Sequence, residues 1–368
     1  MEKLPGVELR TVRRTMPWER KLELTDRLAD VLSQLWKPEH KFDQIGSIYV
    51  PEQATDNTAP DDDDTMVENA TTTRYVVGPA VDNCFFSGRR RYLHHNRGPF
   101  PSCRKWLQSL ITLEKEVITT TMTLLDHKED MTAAHRDADW ERLVEDELEI
   151  DDEDEFLEEY DEALDTVQAY YKLLPELFSS PDDSSVTEGQ QPPRFSLYHP
   201  DLREANIFVD PDTFELTGIL DWESAMTLPD WYGRDYPLFL KAPDPFDERE
   251  PRIPETYDQK DERYNAALIS SRDRWELRLL RQRYDEALEK LGWKDWRPSS
   301  SVAWAKELFL DGVSMLSSDL RNAKRHLVWA QKILDEEKRE KKTEGVQHAG
   351  EVAPGVADAA GHGVDAQA

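Results

Sequence analysis

The sequence predicts an α+β fold, mainly helical, with a small β patch that carries the chemistry. Long stretches in which apolar residues recur at helical spacing lie on both sides of the middle of the chain. Short runs rich in β-branched and aromatic residues, separated by loops, cluster beyond Arg194. The 368 residues include 11 Trp, 12 Tyr and 12 Phe, enough to fill a sizeable core, but 33% are charged, so packed parts should alternate with solvated inserts.

The first helix is expected from Trp18 to Trp36, where Trp18, Leu22, Leu28, Val31, Leu32 and Leu35 form a stripe and Pro17 sits where a first turn tolerates it. FDQIGSIYV takes β character, and residues 51–73, rich in Asp, Thr and Asn, read as a loop. Order resumes at Tyr75 to Val77, with turns at Gly78 and Pro79 and at RGPF, Arg97 to Phe100. Trp106 to about Leu125 has the broad apolar face of a core helix. Between Glu145 and Glu162 lie thirteen acidic residues and no basic one, a self-repelling run that reads as a solvated loop or helix face. It leads into a helix expected to end near Pro175. The inserts near 51–73, 145–155 and 179–193 are thus expected to be flexible. FSLYH, NIFV and ELTGIL read as three small strands. Helices return around Arg272 to Leu291 and from Val302 through Ile333, and 336–368 reads as a disordered tail.

The formal charge of -30 argues against nucleic acid or an anionic membrane as partner, because both demand clustered Lys and Arg. A cationic small molecule is compatible with it. Cys84 and Cys103 form no CxxC pair, and no His spacing suggests a zinc site. No apolar run approaches the ~18 residues of a membrane span, and MEKLPGVELR lacks the basic start and apolar core of a signal peptide, so a cytoplasmic chain is expected.

Tyr198 to Val209 reads YHPDLREANIFV, and the run Thr217 to Leu220 ends in Asp221. A strand, a loop with Asp and Asn five apart, a hairpin and a second Asp at a strand end fit phosphoryl transfer part by part. An acceptor hydroxyl needs a carboxylate within hydrogen-bond reach to orient it and take its proton, which suits Asp201. A divalent ion bridging nucleotide phosphates needs hard oxygen donors, which suits Asp221 and the amide oxygen of Asn206. Asp and Asn also favour turns beside strands; against that plainer origin stands the coincidence of two motifs in order and spacing. Glu223 stays open between a helix-start carboxylate and a residue that supports the metal. GRRRYLHHNR, with His94 and His95, reads as a basic surface loop, since no carboxylate or Cys lies at ligand spacing.

These residues resemble the aminoglycoside phosphotransferase family in its fungal form, which shares its catalytic scheme with protein kinases and choline kinases. That family's loop reads His, any residue, Asp, then Asn five positions on, matched by His199, Pro200, Asp201 and Asn206; its later motif reads Asp-Trp-Glu, matched by Asp221, Trp222 and Glu223. FDQIGSIYV, the Gly78 and Pro79 turn, Phe85, Phe86 and RGPF before Trp106 look like landmarks of its helical lobe. The resemblance implies a protein-kinase-like C-terminal lobe over 17–335 and an ATP- and Mg²⁺-dependent transfer of the γ-phosphate to a hydroxyl of a small molecule. It implies Asp201 as the catalytic proton acceptor, Asn206 and Asp221 as metal ligands, and His199 as a buried brace of the loop with Glu223 in support. Phe208 and Leu220 would lie beneath the adenine. Pro200, Arg203 and Glu204 depart from the small residues commoner in bacterial members, so the acceptor is not read from this loop.

A complete member begins with a β-rich lobe that covers ATP and supplies a Lys for its α and β phosphates. MEKLPGVEL looks instead like the connector between lobes, which places 1–16 at the hinge, with Met1 and Glu2 where adenine is met, and leaves the nucleotide lobe out of this chain. Lys3, followed by Leu4, Pro5 and Gly6, is no substitute. A start codon placed too late, a truncation, and a pseudoenzyme lobe that binds a partner or small molecule without catalysis are the three accounts of that gap.

Overall fold

The computed structural model describes residues 4–50, 75–126, 153–179, 194–241, 262–297 and 300–351. The expectations for 51–73, for the acidic run before 153, for 180–193, for Met1, Glu2 and Lys3 and for the end of the chain past 351 lie outside the described residues.

The fold is α+β and mainly helical. Strand β1 (Val7–Glu8) and the single turn α1 (Leu9–Val12) precede the long helix α2 (Trp18–Gln34). Strands β2 (Gly46–Tyr49) and β3 (Val76–Gly78) pair antiparallel. The short α3 (Asn83–Phe86) is capped by Asp82, whose carboxylate accepts from the Cys84 amide. Helices α4 (Cys103–Asp126) and α5 (Glu153–Leu177) follow, then strands β4 (Ser196–Tyr198), β5 (Ile207–Val209), β6 (Leu216–Ile219) and β7 (Met226–Leu228). Helices α6 (Asp230–Gly233), α7 (Glu262–Lys290), α8 (Ser301–Ser314) and α9 (Leu320–Glu351) follow.

Helix α5 ends at Leu177, near Pro175 as expected; burial of Leu174, Leu177 and Phe178 holds the last turn against the missing proline N–H. Three boundaries differ from the sequence reading. Helix α7 begins at Glu262, well ahead of the expected Arg272. The stretch from Val302 through Ile333 is two helices, the second started by Asp319, whose carboxylate accepts the Asn322 amide at 3.0 Å. Helix α9 continues to Glu351, through residues that composition assigned to the tail; Lys338 reaches Glu176 at 2.7 Å and Ser301 donates to Glu337 at 2.6 Å, ties that a charge-rich sequence does not reveal.

The helices pack into two cores. One surrounds Leu107, Ile111, Val167, Tyr170 and Phe309, from α4, α5 and α8 with α9 alongside; the other surrounds Leu28, Tyr284 and Leu288, from α2 and α7. Each core is faced by its own sheet. The four-stranded sheet, ordered β3-β2-β7-β4, places Met226 and Leu228 in the first core, and the three-stranded sheet, ordered β1-β5-β6, places Ile207 and Val209 in the second. The expected β patch is therefore divided. Sequence reading missed β1, whose two residues are too few to show a period, and β7, which follows a turn without a break in polarity.

The basic stretch at 88–97 is also not a mere surface loop. Arg90 grips Glu114 of α4 through Nε at 2.6 Å and Nη2 at 2.9 Å, and Ser317 donates to the same carboxylate at 2.6 Å. The His95 ring is inserted between Glu116 and Ser109, each within 2.9 Å of a ring nitrogen. These side chains fasten the segment to α4, where a buried carboxylate such as Glu114 requires a counter-ion.

Candidate functional site

The candidate residues sit on two loops that cross side by side between the sheets. The first, 199–206, leaves β4 and enters β5; the second, 220–225, leaves β6 and enters β7. Because β4 pairs with β7 at Tyr198↔Met226 and β5 pairs with β6 at Ile207↔Ile219, the two loops are clamped together at both ends. Between the clamps the Leu220 amide donates to the Asn206 carbonyl at 2.9 Å.

His199 joins the loops in the middle. Its buried ring accepts the Asp201 amide on Nδ1 at 3.2 Å, and Nε2 lies 2.9 Å from the Leu220 carbonyl. An imidazole that accepts at Nδ1 carries its proton on Nε2 and donates there, so one side chain orders the backbone of both loops. The Trp222 ring lies over it at 4.7 Å between centroids, held by a 3.1 Å bond from its indole N–H to the Ile219 carbonyl.

The same loops fix the polar atoms of the other candidates. The side-chain amide of Asn206 donates to the Asp201 carbonyl at 2.8 Å and to Asp201 Oδ2 at 3.2 Å. With its hydrogens committed, the amide has its oxygen left as the atom able to take a ligand. Asp221 follows β6 in left-handed backbone, φ 63°, a conformation Asp tolerates better than most residues, and its side chain is exposed. Asp201 Oδ2 also accepts from the exposed Arg203 guanidinium at 2.5 Å.

Two anchors behind the first loop escaped sequence reading. Glu204 pairs with Arg13 at 2.6 Å and its carbonyl takes the Arg10 amide at 3.3 Å, which ties the loop to the segment around α1. Leu202 is buried in the second core, and its carbonyl accepts from the Phe239 amide at 3.0 Å. The only signal of the Glu204 anchor was its departure from a small residue.

Phe208 alternates with the fully buried Ile207 and Val209, so its side chain faces away from the second core, opposite Glu8 and Gly218. Leu4 covers Gly218, where a Cβ would come within 2.6 Å of it, and Leu220 at the end of β6 is exposed. Glu223 is exposed in a turn that leads into β7; no helix starts there, which removes the helix-start reading.

On the far side of Tyr198 the electrostatics change. Burial pushes up the Tyr198 hydroxyl, and it likewise raises the carboxyls of Glu307 and Asp311 on α8. Asp235 there pairs with Lys241 at 2.6 Å. Among the described residues no group of three or more His, Cys, Asp and Glu is arranged to hold a metal ion, and no helix is long and apolar enough to cross a membrane. Comparisons with protein-family models, with curated proteins and with solved structures find no match for this chain.

Proposed function

We propose that this chain is the protein-kinase-like lobe of an ATP- and Mg²⁺-dependent phosphotransferase that acts on a hydroxyl of a small molecule in the cytoplasm. The observation that carries the reading is the clamped pair of loops, in which Asn206 gives its amide hydrogens to Asp201 while Asp221 is exposed on the adjoining loop. An amide oxygen and a carboxylate are hard donors of the kind Mg²⁺ takes, and two protein ligands suffice where nucleotide phosphates and water complete the shell. Bound Mg²⁺ would neutralise the phosphate oxygens during transfer.

The chain's own residues divide the remaining work. Asp201 Oδ2 is occupied by Asn206 and Arg203, so Oδ1 is the oxygen that takes the proton of an acceptor hydroxyl. His199 holds the Asp201 amide and the Leu220 carbonyl, and so keeps base and metal ligands in fixed relation. Phe208 and Leu220 supply an apolar face on which an adenine could lie.

A second reading, a lobe that binds without turnover, is favoured by one contact: the Arg203 guanidinium donates to Asp201 Oδ2 at 2.5 Å and covers one of the two oxygens an acceptor hydroxyl would approach. Calorimetric titration with Mg²⁺ and ATP, beside Asp221→Ala and Asn206→Ala, separates these possibilities. Binding that both substitutions abolish supports the nucleotide site, and release of ADP on addition of an acceptor supports transfer. Absence of binding by the unaltered chain would refute the proposal for this polypeptide.

A further inference from the structure

A cavity of about 30 Å³ lies behind the candidate loop, lined among others by Trp36, Tyr198, His199, Leu202, Asp235 and Tyr284. Tyr284 is fully buried, with its ring edge-on to Trp296 at 5.4 Å, and its hydroxyl has no hydrogen-bond partner among the described residues. Asp235 Oδ1 is buried as well. Arg297 Nε approaches it to 2.8 Å as an ion pair, yet no hydrogen bond from the described residues reaches that oxygen. His199 cannot serve either group, because both of its ring nitrogens are engaged by the two loops. The rest of the lining is largely apolar, with Leu32, Leu35 and Leu238.

Buried polar groups in folded proteins are paired with protein or with water, and a water needs roughly 10–15 Å³ of room and two or more polar partners. The cavity has the room, and Tyr284 and Asp235 both line it. We infer that it is a binding site for an ordered water, which accepts a hydrogen bond from the Tyr284 hydroxyl and donates one to Asp235 Oδ1. The consequence reaches the candidate loop. Asp235 belongs to the segment that backs it, since Gly233 lies against Tyr198 and the Phe239 amide holds the Leu202 carbonyl at 3.0 Å. Through the water, α7 braces that backing. The inference does not rest on phosphotransfer.

Two measurements test it. A high-resolution crystal structure of the chain should show a water within hydrogen-bond reach of Tyr284 Oη and Asp235 Oδ1. Thermal unfolding of Tyr284→Phe, which keeps the ring, should give a melting temperature lower by about 2 °C, because a satisfied hydroxyl is lost. The sign decides. Were the hydroxyl unpaired, its removal would relieve a buried polar group and the melting temperature would rise. A rise, an unchanged value, or a crystal structure without water at that position overturns the inference.

Discussion

Gly312→Ala is expected to destabilise the protein by about 3 kcal/mol, although the sequence alone predicts the opposite sign. Gly312 lies inside α8, and in an exposed helix interior the change from Gly to Ala stabilises by about 1 kcal/mol. Here a Cβ would lie 1.8 Å from the Tyr170 hydroxyl oxygen, 2.9 Å from the ring carbon that bears it and 3.0 Å from His326 Cβ. Tyr170 has little freedom to withdraw. It is fully buried, its ring packs at 5.0 Å from Phe309, and its hydroxyl donates to the Ala323 carbonyl at 2.8 Å. Relief of the clash breaks that bond in a dry place, which costs about 1–3 kcal/mol, and overpacks the first core, which costs about 1–3 kcal/mol more. Less the propensity gain of about 1 kcal/mol, the net loss centres near 3 kcal/mol. Urea unfolding followed by circular dichroism measures it. In a Tyr170→Phe background the nearest obstacle recedes to the 2.9 Å ring contact, so the penalty should shrink. A Gly312→Ala protein as stable as its parent would refute the packing argument.

Three further outcomes are expected. His199→Phe removes the bonds to the Asp201 amide and the Leu220 carbonyl and should cost about 2–3 kcal/mol, with faster hydrogen exchange at the Asp201 amide; unchanged exchange would show that His199 does not join the loops. Lys21→Met breaks a 2.6 Å ion pair with Glu276 between α2 and α7; with Arg272 left as counter-ion, about 2–3 kcal/mol should be lost at pH 7. Burial raises the Glu276 carboxyl, but Lys21 and Arg272 outweigh it and hold the group below its ordinary value. The pair's contribution is therefore present above the unfolded-state value of about 4.3 and lost as pH falls through the folded one, so the difference between parent and Lys21→Met should narrow in acid; a constant difference across pH 3–7 would contradict this. Glu204→Ala should cost about 1 kcal/mol and, under the proposed function, weaken nucleotide binding more than stability, as judged by calorimetry and melting side by side.

Much of the helical framework was legible because its period is local. The stripes of α2 and α4 bury Leu28, Leu32, Leu107 and Ile111 at spacings set by one turn of helix, and no partner is needed to see them. Strands of two to four residues carry no such period, which is why β1 and β7 were missed and why the strands that were found could not be sorted into sheets. Residues 88–97 looked like a solvated basic loop, because the carboxylate that takes Arg90 lies in α4 and does not show at any fixed spacing.

The candidate site divides the same way. Residue type and order at Asp201, Asn206 and Asp221 came from the chain itself, since hard oxygen donors and a carboxylate base are properties of single side chains. Their relation came from tertiary structure: the β4–β7 and β5–β6 pairings bring two loops into contact, and His199, Arg13 and Leu202 hold the first of them from three directions. Hydrogen bonds and packing between residues distant in sequence depend on where the backbone carries them, so local pattern could name the groups while only the folded chain could decide which atoms of Asn206 and Asp201 are left open to a ligand.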